Sequence, residues 1–78
     1  MNNINLNTLP IHQDGIIQHL NCTGAIRRRF LDLGLIKGTT ITPLFISPSG
    51  DPTAYQVRGS VIAIRKEDSC NISVKPIL

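Results

Sequence analysis

The side chains of this sequence that could bind a metal ion are two histidines and two cysteines, at His12, His19, Cys22 and Cys70. His19 and Cys22 are three residues apart, and an imidazole with a thiolate can hold Fe²⁺ or Zn²⁺. A structural zinc site needs four ligands in recognisable pairs, however, and these four side chains are scattered. We therefore predict no tight metal site and no bound cofactor, with His19 and Cys22 as the candidates for weak binding of Fe²⁺ or Zn²⁺.

Each of these side chains also has an ordinary structural explanation. The two histidines suit surface or sheet positions, and Cys70 suits the core as a small apolar group. For Cys22 two interpretations stay open, because a thiol beside a helix N-terminus can be reactive and can equally fill a gap beneath the helix.

Motifs of enzymes are missing from the sequence. It contains no Walker A lysine loop, no GxGxxG fingerprint and no Ser-His-acid set in a motif context. The carboxylates fall in predicted turns or at helix ends, where each has a structural role to fill: Asp14, Asp32, Asp51, Glu67 and Asp68. We therefore expect a protein without catalytic activity.

Three consecutive arginines, Arg27 to Arg29, suggest an electrostatic contact with something acidic. The net charge is only +3, from eight Lys/Arg against five Asp/Glu, and aromatic residues make up 4% of the chain. A nucleic-acid-binding barrel would need basic strands with interleaved aromatic side chains, so we expect no specific nucleic-acid binding. Two interpretations remain: a solvated face partly paired with Asp32, or a protein contact through Arg27 and Arg28.

A run of three apolar residues, Leu44, Phe45 and Ile46, departs from the alternation of a half-buried strand. Consecutive strand residues point to opposite faces, so the run puts apolar side chains on both faces of a sheet. Tyr55, opposite the run in a predicted hairpin, adds a ring. Either the helix covers the outer face, or the hairpin is an exposed docking surface; both interpretations stay open.

One predicted helix carries the arginines. Thr23 is a suitable N-cap for it. An apolar stripe follows at i, i+4 and i+7, made of Ile26, Phe30 and Leu33. Gly34 ends the helix, because glycine takes the left-handed conformation that lets Leu35 fold back onto Phe30.

The other predicted elements are short strands separated by turns. The strands are residues 5–9, 16–20, 39–46, 53–58, 61–65 and 70–75. The turns are Asp14-Gly15, Lys37-Gly38, residues 47–50, Gly59-Ser60 and a 3₁₀ turn over residues 66–69. Glycines with a structural role are Gly34, Gly38, Gly50 and Gly59. In the last strand, alternation predicts that Cys70, Ile72 and Val74 are buried.

These elements predict a mostly β fold of one domain over residues 1–78. Five or six short strands in an open sheet would leave long edges, which a closed or nearly closed barrel removes. An SH3-like barrel, with one helix after the second strand and a 3₁₀ turn before the last strand, fits this count.

The chain start and the cysteine pattern indicate a cellular location. The start has no charged region followed by a long apolar core, and the two cysteines have neither CxxC nor zinc-knuckle spacing. No apolar run approaches the roughly 18 residues that span a bilayer. We expect a cytoplasmic protein with reduced thiols, no direct membrane insertion, and membrane contact only through another protein.

The stretch RRRFLDLGLIKGTTITPLFISPSGDPTAYQVRGSVIAIRKEDSCNISV resembles the FeoA family, the small cytoplasmic companions of the ferrous iron transporter FeoB. The resemblance covers about residues 9–74 and is dense at Leu33-Gly34-Leu35, Lys37-Gly38, Tyr55 and Arg58-Gly59. Many members have proline where this chain has Lys37, a minor departure because the turn depends mainly on Gly38.

The resemblance implies a non-catalytic accessory protein of bacterial ferrous iron uptake. It implies docking on the cytoplasmic GTPase part of FeoB, so that the protein lies at the inner membrane through this partner. The alternative is a transition-metal-binding or nucleic-acid-associated barrel, like the accessory domain of metal-dependent repressors. The family's metal binding maps onto no residues here. The oligomeric state, the contacted FeoB surface and the effect on GTP hydrolysis stay open.

Overall fold

A computed structural model describes residues 3–77, which form one antiparallel sheet, one three-turn helix and two short helical turns. In chain order the elements are β1 (Ile4–Asn5), a 3₁₀ turn (Leu6–Thr8), β2 (Gly15–Leu20), α1 (Gly24–Asp32), β3 (Thr40–Ile46), β4 (Thr53–Val57), β5 (Ser60–Ile64), α2 (Lys66–Ser69) and β6 (Ile72–Pro76). The sheet order is β1-β6-β2-β3-β4-β5. The predicted class, mostly β with one helix after the second strand, is confirmed.

The core lies on one face of this sheet. Its members are Leu6, Leu9, Ile17, Cys22, Phe30, Leu35, Ile41, Tyr55, Val57, Ile64, Ile72 and Val74. In β6, Ile72 and Val74 are buried, as the alternation predicts. Cys70 is exposed, and its predicted burial is wrong because β6 begins only at Ile72.

The end of α1 is a Schellman cap. The Leu35 N–H donates to the Phe30 carbonyl at 2.9 Å, and the Gly34 N–H donates to the Leu31 carbonyl at 3.0 Å. Gly34 has a φ of +96°, and Phe30 and Leu35 are both buried, so the predicted cap is confirmed. Leu33, which the sequence places in the apolar stripe of the helix, is exposed. After the chain reverses, Leu35 is buried in the core instead.

The start of α1 is only partly as predicted. Thr23 occupies the N-cap position, but its side chain makes no capping hydrogen bond within residues 3–77. The Thr23 hydroxyl therefore accepts no hydrogen bond from the amides of the first turn of α1.

The N-terminal segment differs from the single strand predicted over residues 5–9. β1 ends at Asn5, and the 3₁₀ turn that follows brings Leu6 and Leu9 into the core. The turn predicted at Asp14-Gly15 lies earlier, at residues 11–12, and β2 begins at Gly15. A Cβ on Gly15 would fall 2.9 Å from Leu9 Cδ2, so glycine permits close packing here rather than a turn.

Two glycine turns lie where they are predicted. Gly38, with a φ of +92°, follows Lys37 in a turn before β3. The Gly50 N–H donates to the Ser47 carbonyl at 2.8 Å, which closes the β3–β4 turn with Gly50 in fourth position.

The β4–β5 hairpin turn is shifted by one residue from the predicted Gly59-Ser60. Val57 pairs with Ser60, so the two turn residues are Arg58 and Gly59. Their φ values are +51° and +82°, the left-handed pair that characterises a type I′ turn. Gly59 is thus the second turn residue, not the first.

The helical turn before β6 is α rather than 3₁₀. The Ser69 and Cys70 amides donate to carbonyls four residues back, on Arg65 and Lys66. Asp51 supplies its cap, because Asp51 Oδ1 accepts from the Lys66 N–H at 2.9 Å. The α2 turn also contacts the 3₁₀ turn at Leu6–Thr8.

No helix within residues 3–77 is long and apolar enough to cross a membrane.

Candidate functional site: an outer sheet patch and a helix–strand groove

A β-bulge at Leu44 determines where the apolar run of β3 points. In the β3–β4 register Pro43 pairs with Tyr55 and Phe45 pairs with Ala54, so Leu44 is the extra residue. Leu44 is half-buried, whereas Phe45 and Ile46 are 60% and 51% exposed. The bulge therefore turns the end of β3 outwards, and the helix does not cover these side chains.

Phe45 belongs to an apolar patch that crosses three strands. It pairs with Ala54 on β4, and Ala54 pairs with Ala63 on β5. Directly paired residues share a face, and Ala54 faces away from its buried neighbour Tyr55. Val61, two residues before Ala63, lies on the same face and is 60% exposed. We call Phe45, Ala54, Ala63 and Val61 the outer patch.

Tyr55 does not contribute to a docking surface, which corrects the sequence prediction. It is 2% exposed and belongs to the core. Burial raises the pKa of the Tyr55 phenol above its usual value of 10.0, although hydrogen bonds to Ser69 and Thr53 act in the opposite direction. Within β4, Tyr55 and Val57 are buried on either side of exposed Gln56, so alternation in this strand places Tyr55 on the core face.

The three arginines of α1 are solvent-exposed. Across residues 3–77 the one ion pair joins Arg65 to Asp51, 3.8 Å apart, so the predicted pairing of the arginines with Asp32 is wrong. Arg27 and Arg28 border a shallow depression of about 380 Å³ together with Leu31 and Asp32. Their charges are therefore available to a partner.

A second concavity, which we call the α1–β2 groove, has a volume of about 300 Å³. Its lining residues are Ile17, Gln18, His19, Leu20, Asn21, Arg27, Leu31, Leu35, Ile36 and Lys37. Leu31 and Ile36 are exposed apolar side chains in this set. Local sequence patterns contain no signal for the groove beyond apolar Ile36 and basic Lys37, because its two walls are distant along the chain.

The candidate metal ligands are not brought together. His19 is exposed on β2, whereas Cys22 is 8% exposed and packs in the core. His12 lies in the turn before β2, and Cys70 is on the surface after α2. In the part of the chain that the structure describes, no three His, Cys, Asp or Glu residues group at a distance suited to a metal ion. These residues therefore do not fit a transition-metal centre.

Several carboxylates have structural partners. Asp14 Oδ1 accepts a hydrogen bond from Thr42 Oγ1 at 2.6 Å, which ties the start of β2 to β3. Asp51 caps α2 through the Lys66 amide. These two carboxylates thus have the structural roles that the sequence predicts for them, although their particular contacts differ.

Comparison with known proteins gives consistent matches. The model of the FeoA domain family matches residues 4–76. The Fe(2+) transport protein A/Fe(2+) transporter FeoB fusion protein of Porphyromonas gingivalis is 31% identical over 72 residues. The match covers 92% of this chain but 8% of the fusion protein, so this chain corresponds to a small part of that relative.

Solved structures match over most of the fold. The solution structure of FeoA from Chlorobium tepidum has a TM-score of 0.91 at 27% identity, covering 96% of this chain and 71% of that one. FeoA from Stenotrophomonas maltophilia, complexed with zinc and described as a prokaryotic SH3 domain protein, has a TM-score of 0.80 at 27% identity. That match covers 90% of this chain and 87% of the other. The predicted SH3-like fold is confirmed.

Proposed function

We infer the function from one premise, that this chain belongs to the FeoA family, whose model matches residues 4–76. We propose that it is a non-catalytic accessory protein of bacterial ferrous iron uptake. It docks on the cytoplasmic GTPase part of a FeoB-type membrane transporter and modulates it. It is therefore a cytoplasmic protein that reaches the inner membrane through this partner.

The outer patch is the observation that carries the proposal. Phe45 on β3 and Val61 on β5 are both 60% exposed on one face of the sheet. On β4 between them lie Ala54, which is 8% exposed, and the exposed Gln56. Full burial of a large apolar side chain contributes roughly 1.5–3 kcal/mol, so two such anchors can dominate a small interface. Large apolar side chains that are exposed on the same face of a sheet are a feature of protein-binding surfaces.

The fused relative supports the choice of partner. In Porphyromonas gingivalis an FeoA part and an FeoB part share one polypeptide. A covalent link between two modules raises their effective concentration and so keeps them associated. Two separate chains associate only through contacts between their surfaces. A separate FeoA chain therefore needs a docking surface, and the outer patch can supply one. Arg27 and Arg28 add positive charge that can accelerate encounter with an acidic partner surface.

The proposal is tested in cells that lack this protein. The cells receive the parent, the Phe45→Ser/Val61→Ser variant, or the control Leu33→Ser, which changes an exposed leucine at the end of α1. We expect the double variant to lower both Fe²⁺ uptake and capture of the transporter, while the control restores both. Unchanged Fe²⁺ uptake after deletion of the protein would refute the accessory function.

A further inference from the structure

The α1–β2 groove contains an unpaired edge of β2. On one side β2 pairs with β6 along its length, from Gly15 to Leu20. On the other side its pairing with β3 includes only Gly15 and Ile16. The Ile17 N–H donates to the Thr39 carbonyl, and the Ile17 carbonyl accepts from the Gly38 N–H, after which the two chains separate. Residues 18–20 then line the groove without a strand on that side within the described chain.

The splaying of β2 from β3 has a local cause. A bulge between Ile17 and His19 shifts the β2–β6 register at this position. A bulge bends its strand and increases its twist. The end of β2 therefore turns away from β3, and α1 with residues Ile36 and Lys37 forms the opposite wall.

The charge of the groove has one sign. Arg27 and Lys37 line it, and none of its ten lining residues is acidic. Neither cation takes part in an ion pair among residues 3–77. An occupant that carries carboxylates would complement this charge, and exposed Leu31 and Ile36 would accept apolar side chains beside it.

We propose that the α1–β2 groove binds an extended acidic peptide segment of a partner protein, which adds as a short strand beside residues 18–20. The exposed edge spans three residues, or about 10 Å at 3.3 Å per residue, so the segment forms three or four residues of strand. Its carboxylates face Arg27 and Lys37, and its apolar side chains pack on Leu31 and Ile36. The proposal does not depend on the outer patch, since no residue belongs to both surfaces.

A nucleic acid fits the groove less well. A single-stranded nucleic acid would be held by aromatic stacking, and none of the ten lining residues is Phe, Tyr or Trp.

The test is an NMR titration of the isotope-labelled full chain at low salt. The probe is an acetylated, amidated peptide of alternating valine and glutamate. Two control peptides carry lysine in place of glutamate, or the same side chains on a fully N-methylated backbone that cannot donate to β2. We expect the glutamate peptide to shift the amides of residues 18–20 in a saturable way, and the two control peptides to leave them unshifted.

Variants of the chain distinguish binding in the groove from non-specific electrostatic attraction of an acidic peptide. Arg27→Gln/Lys37→Gln should weaken binding of the glutamate peptide about fivefold, because each rim charge contributes modestly. Arg29→Gln removes the same charge from the same helix outside the groove and should leave the affinity unchanged. Dispersed amide spectra verify that each variant is folded.

The proposal fails if the glutamate peptide causes no saturable shift at millimolar concentration. It also fails if the N-methylated peptide binds equally well, because the site would then be only a charged surface. Equal binding of an oligothymidine to the same amides would assign the groove to nucleic acid instead.

Discussion

The side chain of Arg58 lies directly over Gly34. A Cβ placed on Gly34 would be 2.6 Å from Arg58 Cδ and 3.6 Å from its Cγ and Nε. Arg58 is in the β4–β5 turn and Gly34 ends α1, so this contact joins the helix that carries the arginines to the hairpin that carries Val61. Gly34 and Arg58 both have a positive φ, of +96° and +51°. The Arg58 side chain can lie this close only because Gly34 has no side chain.

Gly34→Ala should destabilise the protein by more than backbone strain alone. A left-handed φ costs alanine roughly 1 kcal/mol, and the added methyl would also displace Arg58. Gly38→Ala is the matched control, because Gly38 has a similar φ of +92° but a Cβ placed on it would meet nothing within 4 Å. Urea denaturation should show a larger loss for Gly34→Ala. Equal losses would mean that the Arg58 contact has no energetic consequence.

Asp51→Ala should lower the free energy of unfolding by about 1 kcal/mol, the usual effect of losing a helix cap. The substitution removes the acceptor for the Lys66 N–H and the neighbour of Arg65. Asp51→Asn keeps a side-chain oxygen and should lose less. Asp32→Ala is the control: it removes an exposed carboxylate at the C-terminal end of α1, where negative charge is unfavourable, and should cost nothing. Thermal unfolding of the three variants ranks these effects, and an unaffected Asp51→Ala would contradict the capping role.

Residues whose conformation is fixed by their neighbours in sequence were predictable. The cap at Gly34 follows from an apolar stripe, a glycine and a returning leucine, all close together in the chain. The turn at Gly50 likewise follows from the local order of Ser47, Pro48 and Gly50. The hairpin turn moved by one residue because Arg58, which is not glycine, takes a left-handed conformation.

The candidate surfaces depend on pairing between distant strands and were only partly predictable. The bulge at Leu44 exists only in the register with β4, and it decides that Phe45 faces outwards. Val61 joins the outer patch through two strand pairings, which alternation within β5 alone cannot show. The α1–β2 groove forms where β2 leaves β3, and this separation also follows from a bulge. Local patterns thus predicted the elements, while register determined the sites.

The stability of the folded chain should fall more steeply at alkaline pH because of Tyr55. Burial raises the pKa of this phenol above 10.0, so the folded protein keeps a proton that the unfolded chain releases. The stabilisation is complete below pH 10 and is lost as the pH rises through the folded-state pKa. Urea denaturation at pH values from neutral to strongly alkaline should show a smaller alkaline loss for Tyr55→Phe than for the parent. Identical slopes for the two proteins would contradict the raised pKa.

The isolated chain should bind neither Fe²⁺ nor Zn²⁺ tightly. Cys22 packs in the core while His19 is exposed, and the described residues offer no group of three ligands. Anaerobic titration calorimetry should give no one-to-one binding of micromolar affinity. The prediction is wrong if such a site appears and His19→Ala/Cys22→Ser abolishes it. A site that survives this double substitution would also refute it and place the metal on other residues.

Docking on the transporter should depend on the outer patch more than on the arginines. Phe45→Ser and Val61→Ser should each weaken binding of the purified cytoplasmic part of FeoB by more than about 1 kcal/mol, as expected for apolar anchors at an interface centre. Arg28→Glu should act mainly at low salt, because exposed charges are screened beyond about 10 Å at 0.1 M ionic strength.

Biosensor titrations at two salt concentrations separate these effects, with circular dichroism to verify that each variant is folded. Gln56→Ala is the control within the same face, since Gln56 pairs with Val61 but contributes no large apolar side chain. It should bind like the parent, because most contacts around the few anchors of an interface are nearly neutral. If Phe45→Ser and Val61→Ser also bind like the parent, the transporter contacts another surface. If Arg28→Glu alone abolishes binding at high salt, the interface is centred on α1.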